Sequence, residues 1–274
     1  MGWYYKNNLV SITAPGRTSI AINPVTLYPG IAYINSNFLY YTGWDGSTWI
    51  SPESVAVVKT GSLLCSMDFD QFGQAHVVYV TGPDGNGSDT IEHKYRTAPG
   101  TWVTATNIDS YSQNGNKKII VRDLKMKMLK TSSSIQVAYI LSDYTWVTSP
   151  PFNYPHASVR FVGAPTPLYS QTDRTELVHS GTWINPQYPP PPQSYPTHDF
   201  NFVDLDIRQT VPYDIHVVVS GWQMVGGPSF KNQIRHYYRK SRSATWIGQI
   251  VQSNDSPVPF VYDPEGGKNY DLVY

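Results

Sequence analysis

The sequence predicts an all-β fold assembled from repeated four-stranded antiparallel units, and three observations carry that prediction. The first is a set of short alternating runs separated by turn residues, clearest in Cys65–Val103. There Ser66–Asp70, His76–Val80, Ile91–Arg96 and a run opening at Thr101-Trp102-Val103 are divided by Gln71-Phe72-Gly73-Gln74, Pro83-Asp84-Gly85-Asn86-Gly87 and Ala98-Pro99-Gly100. Alternation bounded by Gly, Pro, Asn and Asp is the pattern of half-buried antiparallel strands. The second is that this unit recurs along the chain. The third is composition: 21 Tyr, 8 Trp and 22 Pro, with only 15% charged residues, against roughly 25% in an average domain. Aromatic side chains suit pleated surfaces, and proline suits turns and sheet edges.

The repeat is read strand by strand. Its first strand appears as Ser19–Asn23, Ser66–Asp70, Asp123–Met128, Phe202–Ile207 and Pro259–Asp263. Its second ends in Tyr or a β-branched residue: Gly30-Ile31-Ala32-Tyr33, His76-Val77-Val78-Tyr79, Gln136-Val137-Ala138-Tyr139, His216-Val217-Val218-Val219 and Asp271-Leu272-Val273-Tyr274. Its third is Phe38-Leu39-Tyr40-Tyr41, Glu92-His93-Lys94-Tyr95 and Arg235-His236-Tyr237-Tyr238. Its fourth opens with Thr-Trp: Thr48-Trp49-Ile50, Thr101-Trp102-Val103, Thr182-Trp183-Ile184 and Thr245-Trp246-Ile247. Four strands in a period of about 45–55 residues describe a β-propeller blade.

The ends set the predicted blade count. Residues 257–274 supply only the first two strands of a unit, and residues 1–12 look like the missing two, with Trp3-Tyr4-Tyr5 matching Leu39-Tyr40-Tyr41. Joining them closes a ring without an exposed sheet edge. The expectation is one five-bladed domain with blades near 18–58, 62–109, 119–185, 200–252, and 257–274 plus 1–12. The third unit is irregular, with His156–Val162 and Thr175–Val178 competing for its third strand. Residues 185–198, containing Pro189-Pro190-Pro191-Pro192, favour an extended polyproline loop over regular structure. A long Tyr- and Pro-rich loop of this kind is a candidate surface for a protein partner.

Several function classes are excluded or disfavoured. Formal net charge is zero, so nothing points to nucleic acid or an anionic membrane. One cysteine, Cys65, cannot build a disulfide framework. The start, Met1 to Ser11, lacks the apolar core of a signal peptide, and Lys6 stands where the Met-Gly lipidation pattern wants Ser or Thr. The expected compartment is cytosolic, virion-associated or reached by a non-classical route. No Gly-x-Gly-x-x-Gly, Walker loop or Gly-x-Ser-x-Gly elbow occurs, so no cofactor is expected.

The string Asp68-x-Asp70-x-x-Gly73-x-x-His76-Val77-Val78-Tyr79, followed by an aromatic strand and Gly-x-x-Trp, resembles the repeats of bacterial and fungal β-propeller lectins and sialidase-like propellers. Trp44-Asp45-Gly46-Ser47-Thr48-Trp49 carries the strand-closing portion. The resemblance implies propeller architecture and a carbohydrate partner. The Asp-box Ser-x-Asp-x-Gly-x-Thr-Trp is absent, and the arginines hold no consistent repeat position from which a carboxylate-binding triad could be drawn.

Candidate sites divide by chemistry. Asp70, Asp263 and Asp206 fall where a first strand turns into a second, and Asp followed shortly by Gly is turn chemistry. Asp68 and Asp204 lie two residues earlier, on the face that would line a central channel. They are the candidate acid and base of a glycoside hydrolase. His76 and His216 hold equivalent second-strand positions, and His93 and His236 equivalent third-strand positions, without the convergence of a metal site. Trp49, Trp102, Trp183 and Trp246 recur once per unit. Beside Glu92, Arg96, Arg235 and Arg239 they form candidate shallow sugar sites, or else plug gaps between blades. The leading expectation is a non-enzymatic, lectin-like propeller binding glycans by avidity. A structural or adhesion module of a virion or cell surface, and a hydrolase with its site at the channel, are the alternatives.

Overall fold

A computed structural model of the chain describes residues 15–82, 89–105, 107–110, 117–145, 155–165, 176–180, 182–184, 194–196, 198–209, 214–226, 229–240 and 246–254. Their regular structure is entirely β. Sheet one comprises β1 (Pro15–Ile22), β2 (Pro29–Asn35), β3 (Phe38–Gly43) and β4 (Glu53–Val57). Sheet two comprises β5 (Cys65–Phe69), β6 (Ala75–Thr81), β7 (Thr90–Ala98) and β8 (Thr101–Thr104), with the short β9 (Asp109–Ser110) pairing on β7. Sheet three holds β10 (Lys117–Leu129), β11 (Ser134–Thr145), β12 (Pro155–Pro165) and β13 (Glu176–Ser180). A separate hairpin joins β14 (Thr182–Ile184) to β15 (Ser194–Pro196). Sheet four holds β16 (His198–Ile207), β17 (Ile215–Gly226), β18 (Ser229–Arg239) and β19 (Ile247–Asn254). Within each four-stranded path, spatial order equals chain order and neighbours are antiparallel.

The turn between first and second strands is built by one polar side chain in each of the first two sheets. Asp70 Oδ1 accepts the N–H groups of Phe72 at 2.9 Å and Gln74 at 2.8 Å, while Gly73 takes φ 79°. A positive φ costs glycine no Cβ clash. Asn23 does the same work in sheet one, its Oδ1 accepting Val25 N–H at 2.9 Å and Thr26 N–H at 3.2 Å. Asp206 is not at such a turn. It lies inside β16 opposite His216, and the turn begins at Arg208, whose N–H donates to the Asp214 carbonyl.

The sheets stack face to face, with an apolar layer between each successive pair. Ala32, Ile34, Leu39 and Tyr41 meet Met67, Phe69, Val77 and Tyr79 between sheets one and two. Val78, Val80 and Ile91 meet Leu124, Met126, Ile135 and Val137 between sheets two and three. Ala138, Ile140, Val159 and Phe161 meet Val203, Leu205, Val217 and Tyr237 between sheets three and four. The first strands also touch in succession, β1 on β5, β5 on β10 and β10 on β16. First strands gathered together, with their sheets radiating outward, make the arrangement propeller-like.

Two expectations about the Thr-Trp runs are corrected. In sheet one, Thr48-Trp49-Ile50 does not form the fourth strand. Asp45 Oδ1 takes the N–H groups of Ser47 and Thr48, both at 2.7 Å, so Trp44 and Trp49 bridge across a tight turn. Pro52 has no N–H to offer, and pairing resumes with Glu53. In the third unit both competing segments are strands, β12 third and β13 fourth. Thr182-Trp183-Ile184 follows that sheet and pairs in the separate hairpin. Residues 1–12 and 257–274, and most of the Pro-rich loop 185–198, lie outside the described residues.

Candidate functional site

Strand registers fix which first-strand residues share a level. Ser19, Ser66, Lys125 and Asp204 stand opposite Ala32, Val78, Ala138 and Val218. Ala21, Asp68, Lys127 and Asp206 stand opposite Gly30, His76, Gln136 and His216. Asp68 and Asp204, paired as candidates from sequence, are therefore one level apart. The repeat partner of Asp68 is Asp206, and that of Asp204 is Ser66. A third level contains Asp123 and Phe202, opposite Ile140 and Ser220.

The polar side chains at these levels join one sheet to the next. Ser19 Oγ accepts Met67 N–H at 3.0 Å, and Ser66 Oγ accepts Met126 N–H at 3.0 Å. Asp68 Oδ2 accepts Met128 N–H at 2.9 Å, and Asp123 Oδ2 accepts Val203 N–H at 2.8 Å. The other oxygen of each acid takes the N–H of the following residue, Phe69 or Leu124, at 2.8 Å. Backbone N–H groups facing a neighbouring sheet need an acceptor once buried, and these side chains supply it.

Asp68, Asp123 and Asp204 each also meet a cation from another sheet. Lys130 Nζ lies 3.7 Å from Asp68 and Lys125 Nζ 3.3 Å from Asp204. Arg17, on β1, pairs with Asp123 on β10 and lies over the Phe202 ring of β16, 5.6 Å from its centroid. One guanidinium from sheet one thus reaches sheets three and four. Burial pushes the Asp123 carboxyl up to about 6, against the opposing pull of Arg17 and the two N–H donors. Asp68 and Asp123 are buried, whereas Asp204 and Asp206 are half-buried. Among the described residues no cluster of three His, Cys, Asp or Glu side chains could hold a metal ion.

The aromatic candidates lie elsewhere, between sheets. Trp102 sits edge-on to Tyr41 at 5.4 Å and donates Nε1–H to Glu53 at 3.1 Å. Arg96 forks onto the same Glu53 at 2.9 and 2.6 Å, over the Tyr41 ring. The repeat recurs two sheets on. Trp246 sits edge-on to Phe161 at 5.3 Å, and Arg239, 2% exposed, lies 4.7 Å from both ring centroids. Such cation–π contacts strengthen when desolvated. Trp49 packs on Trp44 at 5.9 Å. Glu92 receives the Tyr79 hydroxyl at 2.5 Å, and Arg235 Nε donates to Gln233 at 2.9 Å. The side chain of Trp183 lies outside the described residues. The structure gathers Arg96 with Trp102 and Arg239 with Trp246, each pair at the boundary between two sheets.

Sequence reasoning missed Glu53 and Arg17. Glu53 follows a Thr-Trp run by a few residues, and only its register opposite Tyr41 gives it meaning. Arg17 is invisible without knowing that the first strands converge.

No protein-family model matches the chain, and no curated protein matches it. Solved structures do. The α-L-arabinanase of Penicillium chrysogenum complexed with arabinobiose superposes with a TM-score of 0.54 at 10% identity, over 88% of this chain and 67% of that one. An α-L-arabinofuranosidase of Fusarium graminearum with an iminosugar inhibitor gives 0.52 at 11%, over 93% and 72%. The GH93 α-L-arabinofuranosidase of Fusarium graminearum with arabinobiose gives 0.51 at 7%, over 86% and 66%. The chain therefore spans about two thirds of these neighbours. This corrects the lectin expectation: the solved structures that share the propeller-like fold include an α-L-arabinanase and α-L-arabinofuranosidases.

Proposed function

We propose that the chain is a glycoside-cleaving propeller acting on arabinose-containing oligosaccharides, with its site where the first strands converge. The observation that carries the reading is the fold likeness to an α-L-arabinanase and two α-L-arabinofuranosidase structures. Carboxylates on three successive first strands support it. Glycoside cleavage needs two carboxyl groups, one donating a proton and one acting as base or nucleophile. Asp204 and Asp206 suit these roles better than Asp68, because they are half-buried where Asp68 is sealed under Met128. In this reading residues 1–12 and 257–274 form the fifth blade. The apolar faces that sheets one and four still expose, Ile20 at 66% and Ile247 at 51%, support a further sheet between them.

The test incubates the full chain with arabino-oligosaccharides and linear arabinan and measures new reducing ends. Release by the wild type, lost in Asp204→Asn or Asp206→Asn with the fold intact, is expected. No release from any arabinose-containing substrate sinks the reading. A second reading, a structural module meeting a protein partner through loop 185–198, is favoured by one observation: Asp68 and Asp123 are already committed to joining sheets.

A further inference from the structure

Away from the axis, sheets two and four carry the same pair of imidazoles. His76 stands opposite Tyr95 and His93 opposite Val78, so the two histidines are diagonal neighbours on one face. Their rings stack at 5.2 Å and 17°, with His76 Nδ1 2.9 Å from His93 Nε2. His216 and His236 repeat this at 5.1 Å and 7°, again with Nδ1 to Nε2 at 2.9 Å. Tyr95 and Tyr238 stack beside the two pairs. The pairs differ in burial. His93 is 0% and His76 2% exposed, on the face of sheet two that packs against sheet three, whereas His216 and His236 are half-buried.

The surroundings of the first pair are defined. Asp70 Oδ2 lies 3.8 Å from His76 Nε2, which makes no hydrogen bond among the described residues. Asp68 stands opposite His76 and is paired with Lys130 from the end of β10. Facing them, sheet three presents Met128, Ile135 and Val137, and further out Tyr139, whose hydroxyl donates to Asp109 at 2.5 Å. Glu92, Lys94 and Arg96 leave β7 on its other face, toward Tyr79, Val55 and Glu53.

Proton counting on this geometry gives a definite result. Neutral, one ring must donate across the 2.9 Å contact and the other accept. If His93 Nε2–H donates, His76 carries its proton on Nε2, directed at Asp70. One added proton is accommodated by a tautomer shift: His76 holds both protons and donates from Nδ1 to a neutral His93, and the charge lies beside Asp70. A second proton would set two N–H groups against each other in a buried site, where an unpaired charge is costly. Burial, together with the neighbouring His76 charge, holds His93 well below the ordinary histidine value.

We propose that the His76–His93 pair is a one-proton site that makes the packing of sheet two against sheet three acid-sensitive. The unfolded chain binds two protons on these residues where the folded one binds one, so stability is full above about pH 6.5 and declines below it. The proposal is independent of the glycoside-cleaving reading, which uses neither residue.

The test is urea unfolding of the full chain between pH 7.5 and 5.0 for the wild type and His93→Gln, whose amide can face His76 Nδ1 without titrating. The unfolded-to-folded ratio of the wild type should rise toward tenfold more per pH unit than that of the variant, the signature of one proton. His236→Gln, in the half-buried pair, should change the slope less. Equal slopes for wild type and His93→Gln overturn the proposal. If that variant does not fold, imidazole nitrogen shifts of the wild type decide: one ring of the pair charging while the other stays neutral is expected, and two rings titrating as free histidines refutes it.

Discussion

Asp68→Asn separates a carboxylate that joins sheets from one that does chemistry. Asp68 accepts Met128 N–H at 2.9 Å across the sheet boundary and Phe69 N–H at 2.8 Å within its own strand. Asparagine keeps one oxygen, so one buried N–H must face an NH2 group. A hydrogen bond to a charged acceptor contributes about 1.5–3 kcal/mol, and leaving a buried donor unmet costs at the upper end of that range. Losing the Lys130 pair, at 3.7 Å with Lys130 about a third exposed, adds under about 1 kcal/mol. The total is about 2–4 kcal/mol, which at about 2–4 °C per kcal/mol lowers Tm by roughly 4–16 °C. Asp204→Asn is the control. Its remaining oxygen still accepts Leu205 N–H, and the loss of the Lys125 pair at 3.3 Å is a change under about 1 kcal/mol. Urea midpoints followed by circular dichroism read both variants. An Asp68→Asn midpoint equal to wild type would refute the view that this carboxylate is committed to packing.

Glu53→Gln should destabilise by about 1–3 kcal/mol, below the 3–5 of a fully buried pair, because Arg96 is left without its anion while Gln still accepts from Trp102. Burial acts to raise the Glu53 carboxyl, but Arg96, Gly100 and Trp102 together outweigh it and hold it below 4.5. The wild type therefore keeps this contribution above pH 4.5 and loses it as the pH falls further, and acid unfolding of the variant should lack that step. Asp123 runs the other way: its folded carboxyl, at about 6 against an ordinary 3.8, stays protonated longer in the folded state. Its contribution is largest below 3.8 and is lost as the pH rises through 6, about 3 kcal/mol in all. Asp123→Asn should flatten the stability profile between pH 4 and 6.5, measured by urea midpoints.

Much of the architecture was legible because strand alternation and turn chemistry are local. The first, second and third strands fall where the repeat placed them in sheets one, two and four. Asp70 and Asn23 close equivalent turns through side-chain oxygens. The Thr-Trp runs were less reliable as strand markers, since Asp45 and Pro52 displace the pairing in sheet one and the third unit lengthens before its hairpin. Glu53, Arg17 and the diagonal histidines were not legible for a different reason. Their partners lie 43, 106 and 17 residues away, and only sheet stacking and register bring them together. The equivalence of His76 with His216 was visible, but the contact of His76 with His93 needed the β6–β7 register.

The acids near the axis answer first to a backbone demand. Sheets stacked face to face cannot pair their first strands edge to edge, so N–H groups of Met67, Met126, Met128 and Val203 turn to Ser19, Ser66, Asp68 and Asp123 on the preceding sheet. A carboxylate used in this way brings charge with it. The chain answers with Lys130 and Arg17 from other sheets, and meets Asp204 with Lys125. An acid here is therefore no sign of catalysis by itself. What singles out Asp204 and Asp206 is their position on the last described first strand, half-buried and opposite Val218 and His216. The stability and sugar-release measurements then read the same residue from opposite sides. If Asp204→Asn loses as much stability as Asp68→Asn, Asp204 is one more join between sheets. If it keeps the fold and loses sugar release, this carboxylate acts in the chemistry.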